Sequence, residues 1–130
     1  MLIVTIRTDK PEAEIGLYDD QTQLAYEVWT AHRQLAETLH TKIESMLQTH
    51  GKGWSDIQGL ACFQGPGSFT GLRIGLTVAN TLSYSYHLPV VATQDPNWLE
   101  TGIARLIAGE SDDLALPFYG ADAIVTLPKK

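Results

Sequence analysis

Phe63-Gln64-Gly65-Pro66-Gly67-Ser68-Phe69-Thr70-Gly71-Leu72-Arg73-Ile74-Gly75-Leu76 decides how this chain is read. The apolar run that ends at Phe63, Gly59-Leu60-Ala61-Cys62-Phe63, enters it as a buried strand. A helix leaves it, expected over 68–86. Gly65 and Gly67 tolerate backbone angles that a side chain forbids. Pro66 stiffens the turn between them, and Ser68 is placed to cap the helix. Exposed amides and the helix dipole at such a start favour an anion, and Arg73, one turn in, adds positive charge. The Walker A lysine is missing, however, and the third glycine, Gly71, falls one residue too late for GxGxxG. On these grounds the turn reads as structural ahead of a phosphate cradle.

Further into the helix, Gly71, Gly75 and Ala79 recur every four residues and form a smooth ridge. Glycine in a helix interior is worse than alanine by roughly 1 kcal/mol, so another backbone must come close to this ridge. Packing on the domain's own sheet and docking on a second protein both satisfy that requirement.

Upstream of the turn, Leu2-Ile3-Val4-Thr5-Ile6-Arg7 is a buried strand, residues 13–18 alternate like a second, and Leu24, Tyr26, Val28 and Thr30 mark a third. Turns at Asp9-Lys10-Pro11 and Asp19-Asp20-Gln21-Thr22 make these strands an antiparallel meander. Over 31–48 the period lengthens. Leu35, Leu39, Ile43 and Leu47 recur every four residues, one apolar helix face, with Gly51 at its C-terminal end. A strand at 57–63 leads into the glycine turn. After the second helix come a short strand at 88–92 and a helix at 96–108. The expected class is α/β, a mixed five-stranded sheet in the order β-β-β-α-β-α-β-α, which resembles one ribonuclease H-like lobe of the actin-like ATPase superfamily.

The 130 residues fit one domain. A hydrophobic share of 44% and a charged share of 18% are those of a globular chain, not a disordered one. The net charge of −6 argues against autonomous binding to a polyanion, which calls for Lys and Arg. One cysteine, Cys62, excludes an internal disulfide and a cysteine-based metal site, and its apolar run reads as a buried thiol in a reducing compartment. Met1–Arg7 is too short for a signal peptide, and no stretch reaches the ~18 apolar residues that span a bilayer. The expectation is a soluble, cytoplasmic protein. His32, His40, His50 and His87 do not pair at metal-binding spacings, no acid–base pair is evident around Glu12 and Glu14, and Ser68 is not in a GxSxG elbow. Trp29, Trp54 and Trp98 are scattered and read as core or interface. No catalytic residue, cofactor or metal is expected.

The stretch Gly65 to Gly75 resembles the signature of the TsaB (YeaZ) family. The similarity covers roughly residues 1–100 and includes Ser55-Asp56-Ile57 and Leu88-Pro89-Val90-Val91. The ending, Pro117-Phe118-Tyr119-Gly120 through Thr126-Leu127-Pro128-Lys129-Lys130, is similar to the closing segment of some members. The resemblance implies a non-catalytic accessory subunit that binds a TsaD-type catalytic subunit through a helical bundle. A TsaE-type ATPase joins them, and the complex carries out threonylcarbamoylation of the adenosine beside the anticodon of transfer RNAs reading ANN codons. Transfer RNA is then met only through the complex. The implied interface is the helices at 31–48 and 68–86, with Leu35, Leu39, Ile43, Leu72, Leu76 and Ala79. Gly65, Gly67, Ser68, Thr70, Gly71, Arg73 and Gly75 organise the second helix.

Two departures stand out. Where members commonly have an Ile-Asp-Thr-like turn, this chain has Ile6-Arg7-Thr8, and arginine cannot ligate a cation. The chain is also short, so residues 1–110 are expected to form the actin-like N-terminal lobe and 111–130 a tail, the remnant of a second lobe. Two alternatives remain in view, a small nucleotide-binding protein using the glycine turn and a homodimeric scaffold using the same helices.

Overall fold

The computed structural model describes residues 1–31, 34–67 and 69–118. The expected Ser68 cap and residues 119–130 of the expected tail lie outside them. Strand β1 (Leu2–Arg7) is central. It pairs antiparallel with β2 (Glu12–Asp19), which pairs antiparallel with β3 (Thr22–Thr30). On its other side β1 runs parallel to β4 (Gly59–Phe63), and β4 parallel to β5 (Val90–Thr93), giving the order β3-β2-β1-β4-β5. Helices α1 (Leu35–Thr49), α2 (Phe69–Tyr86) and α3 (Trp98–Ile107) complete the expected element order.

The period of two along the strands divides the core. Leu2, Val4 and Ile6 of β1, Ile15 and Leu17 of β2, and Leu60 and Cys62 of β4 face one way. There they meet Leu39, Ile43, Met46 and Leu47 of α1 and Leu76, Ala79 and Leu82 of α2. Ile3, Ala61 and Val91 face the other way, onto Ile103 and Leu106 of α3. Each fully buried Leu or Ile contributes about 1.5–3 kcal/mol, so the four-residue repeat of α1 makes it a core helix.

Boundaries shift where local bonds compete with the pattern. The first helix begins at Leu35, not Ala31, because Ala31 N–H still donates to Pro11 O at 3.3 Å and prolongs the β2–β3 pairing. It ends on His50, and Gly51 follows at φ 69°. Gly51 N–H bonds Gln48 O at 3.0 Å and Lys52 N–H bonds Leu47 O at 2.8 Å, a Schellman closure that needs a left-handed residue at that point. A 3-10 turn, Trp54–Asp56, delays β4 to Gly59. Pro96 and a left-handed Asn97 delay α3 to Trp98. Among the described residues no helix is long and apolar enough to cross a membrane.

Candidate functional site: the glycine turn and the outward face of its helix

The turn after β4 carries Gly65 at φ 120°. A Cβ there would fall on the carbonyl oxygen of Phe118, and a Cβ on Gly67 would fall on Cβ of Asp9. Both glycines are therefore required by close approach of the chain's own atoms, which bury Gly65 and leave Pro66 and Gly67 exposed. Thr8 Oγ1 donates to Gly71 O at 2.7 Å, tying the first turn of α2 to the end of β1.

The ridge beyond it is interior. Gly75 lies against the side chain of Thr8, and Ala79 and Leu76 are 0% and 3% exposed within the core. Leu72 packs with Phe63 and Trp98, while Leu39 and Ile43 lie in the sheet-facing core and Leu35 packs with Ala13 and Ala31. A partner cannot reach Leu39, Ile43, Leu72, Leu76 or Ala79. The docking seam expected along Gly71, Gly75 and Ala79 is instead the contact of α2 with its own sheet, because the sheet claims the closest-packing face of the helix. Leu76 likewise belongs to the core, not the surface. Arg73 and Thr70 are exposed, and Thr70 borders a shallow hollow of about 350 Å³ with Lys10, Pro11, Leu35 and Ile74.

The accessible side of the two helices lies elsewhere. Ala36 and His40 of α1 and Thr77, Val78, Thr81, Ser85 and Tyr86 of α2 line an open groove of about 360 Å³. Trp54 stacks at 4.8 Å on His40 and at 6.4 Å on Tyr86, and its indole N–H donates to Glu44 at 3.3 Å. Tyr84 is 86% exposed beside this groove's helix. Helix α2 carries one charged residue, Arg73, in 18. That depletion, alongside exposed tyrosines, is the composition of a protein interface. The signal was present in the sequence as the near-absence of charge, but the small-residue ridge drew attention to the opposite face.

At the C-terminal end of β1, Arg7 fills the place where the resemblance leads one to look for an acid. Its Nε and Nη2 donate to Asp9 at 2.7 and 3.1 Å, and Nη2 and Nη1 reach Asp95 at 3.2 and 3.4 Å. The guanidinium lies 3.9 Å from the centre of the Phe63 ring. A fixed cation thus pairs with both carboxylates from within the chain. Glu14, also near this end, accepts the Tyr26 hydroxyl at 2.6 Å, and Tyr26 is pushed up by burial and by that bond. Burial pushes the Cys62 thiol up to about 12.

Sheet order, helix placement and the glycine turn define a ribonuclease H-like lobe. RuvC of Thermus thermophilus matches it at TM-score 0.54 and 16% identity over 95% of this chain and 88% of that one, which shows the fold alone. YeaZ from Pseudomonas aeruginosa matches at TM-score 0.66 and 26% identity, over 72% of this chain and 44% of that one. The family model described as TsaD, tRNA N6-adenosine threonylcarbamoyltransferase, matches residues 29–99. The tRNA threonylcarbamoyladenosine biosynthesis protein TsaB of Escherichia coli is 31% identical over 119 residues, 83% of this chain and 49% of that protein. The chain belongs to this TsaD-type family, and TsaB (YeaZ) proteins are among the relatives it is similar to. It spans about half the length of the curated relatives it matches.

Proposed function

We propose that the chain is a non-catalytic accessory subunit in tRNA threonylcarbamoyladenosine biosynthesis, docking on a TsaD-type catalytic subunit through the outward face of α1 and α2. The observation that carries this reading is the groove between the two helices. It is lined by Ala36, Thr77, Val78 and Thr81 and walled by His40 and Tyr86, with no charged side chain among the described residues that line it, on a protein of net charge −6. Small side chains there let a partner helix come close, and the aromatic wall gives it area to bury. The non-catalytic part is supported by Arg7, whose guanidinium engages Asp9 and Asp95. Transfer RNA and a TsaE-type ATPase would be met only through the complex. Use of the groove between two copies would compete with the catalytic partner.

The test is co-purification with the cognate TsaD-type protein, followed by modification of transfer RNA with and without this chain. Thr81→Glu places a charge in the groove without touching the core. It should weaken the complex at least about tenfold, the effect of 1.4 kcal/mol, and slow modification in proportion. Unchanged affinity of a folded Thr81→Glu protein would reject this face as the interface.

A further inference from the structure

Residues 111–118 belong to no helix or strand, yet their backbone is held almost throughout. Asp112 N–H donates to Val90 O at 2.8 Å, and its Oδ2 accepts from Ala92 N–H at 2.8 Å, so one residue stands in for a neighbouring strand along β5. Arg105 fixes the same carboxylate from α3, at 3.0 Å.

Three residues on, Asn80 of α2 engages a single residue twice. Its Nδ2 donates to Ala115 O at 2.9 Å and its Oδ1 accepts from Ala115 N–H at 2.8 Å. Gln64 takes over at the glycine turn. Its Nε2 donates to Leu116 O at 3.0 Å, and its carbonyl accepts from Phe118 N–H at 2.8 Å. These bonds go to backbone groups, as in the exchange between paired strands, and they ask nothing of the side chains they hold. Only Ala115 is selected by size, at 1% exposed in the core. Leu114, Leu116 and Phe118 point outward, 53%, 57% and 37% exposed.

We propose that Asn80, Gln64 and the border of β5 form a groove for an extended peptide with a small central residue. It is filled here by the chain's own residues 112–118 and is able to take the same stretch from a second copy. The strap then behaves as a tethered ligand, and Gly65 is its seat. The proposal is independent of the α1–α2 face.

The experiment uses the full chain carrying Ala115→Arg, which cannot seat its own strap, and a labelled peptide of the sequence Ser111–Phe118. Amide exchange at Phe118 should quicken at least about tenfold when the strap is released. The peptide should bind this variant saturably by fluorescence anisotropy, and more weakly the wild type, whose groove is already filled. Adding Asn80→Leu should weaken peptide binding about tenfold or more, as the loss of two backbone hydrogen bonds implies. Ala115→Pro, which removes only the N–H that Asn80 accepts, serves if the arginine variant does not fold. A Phe118 amide that stays protected in Ala115→Arg overturns the proposal, as does an open groove that takes no peptide or binding indifferent to Asn80. Failure of both variants to fold also overturns it, since the strap is then core and not ligand.

Discussion

Replacing Gly75 with alanine sets two effects of one methyl group against each other. Alanine is better than glycine inside a helix by about 1 kcal/mol. The new Cβ, however, would fall on the hydroxyl oxygen of Thr8, with Thr8 Cγ2 and Cβ at 3.0 and 3.1 Å. Thr8 is 2% exposed and its hydroxyl is engaged with Gly71 O, so it cannot turn aside into solvent. Relief requires moving α2 off the sheet, an overpacking loss of about 1–3 kcal/mol, and giving up the buried hydrogen bond, about 1 kcal/mol more. After the helix gain, the expected net loss is about 1–3 kcal/mol, or roughly 3–5 °C of Tm per kcal/mol at this chain length. Urea unfolding followed by tryptophan fluorescence measures it. The decisive control is the cycle with Thr8→Ala, where the obstructing hydroxyl and methyl are gone, only the Cβ at 3.1 Å remains, and Gly75→Ala should destabilise much less. A single variant as stable as wild type, or the same loss in both backgrounds, would refute the assignment of the ridge to the interior.

Arg7→Ala should lower stability by about 2–4 kcal/mol, because it leaves the buried Asp9 carboxylate unpaired; Arg7→Lys should recover only part, lacking the planar fork that holds Asp9 and Asp95 together. A shift in the denaturation midpoint indistinguishable from zero would show that the cluster is not structural. Cys62, its thiol pushed up to about 12 by burial, should react with a disulfide reagent at pH 8 only as fast as the chain opens, so urea should accelerate it steeply. Rapid stoichiometric reaction of the native protein would contradict its position.

The sheet and its helices were legible because both periods are long and clean. Leu35, Leu39, Ile43 and Leu47 have one way to be buried together, and Leu2, Val4 and Ile6 likewise. The orientation of α2 was not legible to the same degree. Gly71, Gly75 and Ala79 signal a close approach without saying to what, and only Thr8, 67 positions before Gly75 in the chain, answers that question. The partners of Arg7 were beyond reach for the same reason, since Asp95 stands 88 residues away. The hold on Ser111-Asp112-Asp113 was not legible, because polar residues in a row carry no period. In the fold Asp112 is held well enough by Arg105, and by Ala92 N–H, to keep its carboxyl below the usual carboxylate range. Local pattern reports burial; it does not report which polar group substitutes for a missing strand.

The two borders of the sheet are unequal. Along β5 the amide of Ala92 and the carbonyl of Val90 are already taken. Along β3, nine residues long, no strand among the described residues lies outside, and Leu24 and Val28 are 38% and 54% exposed. While residues 112–118 stay seated, growth of this sheet by added chains is therefore one-directional, from the meander side, and storage at high concentration is best protected by a lysine placed at position 28 of that rim.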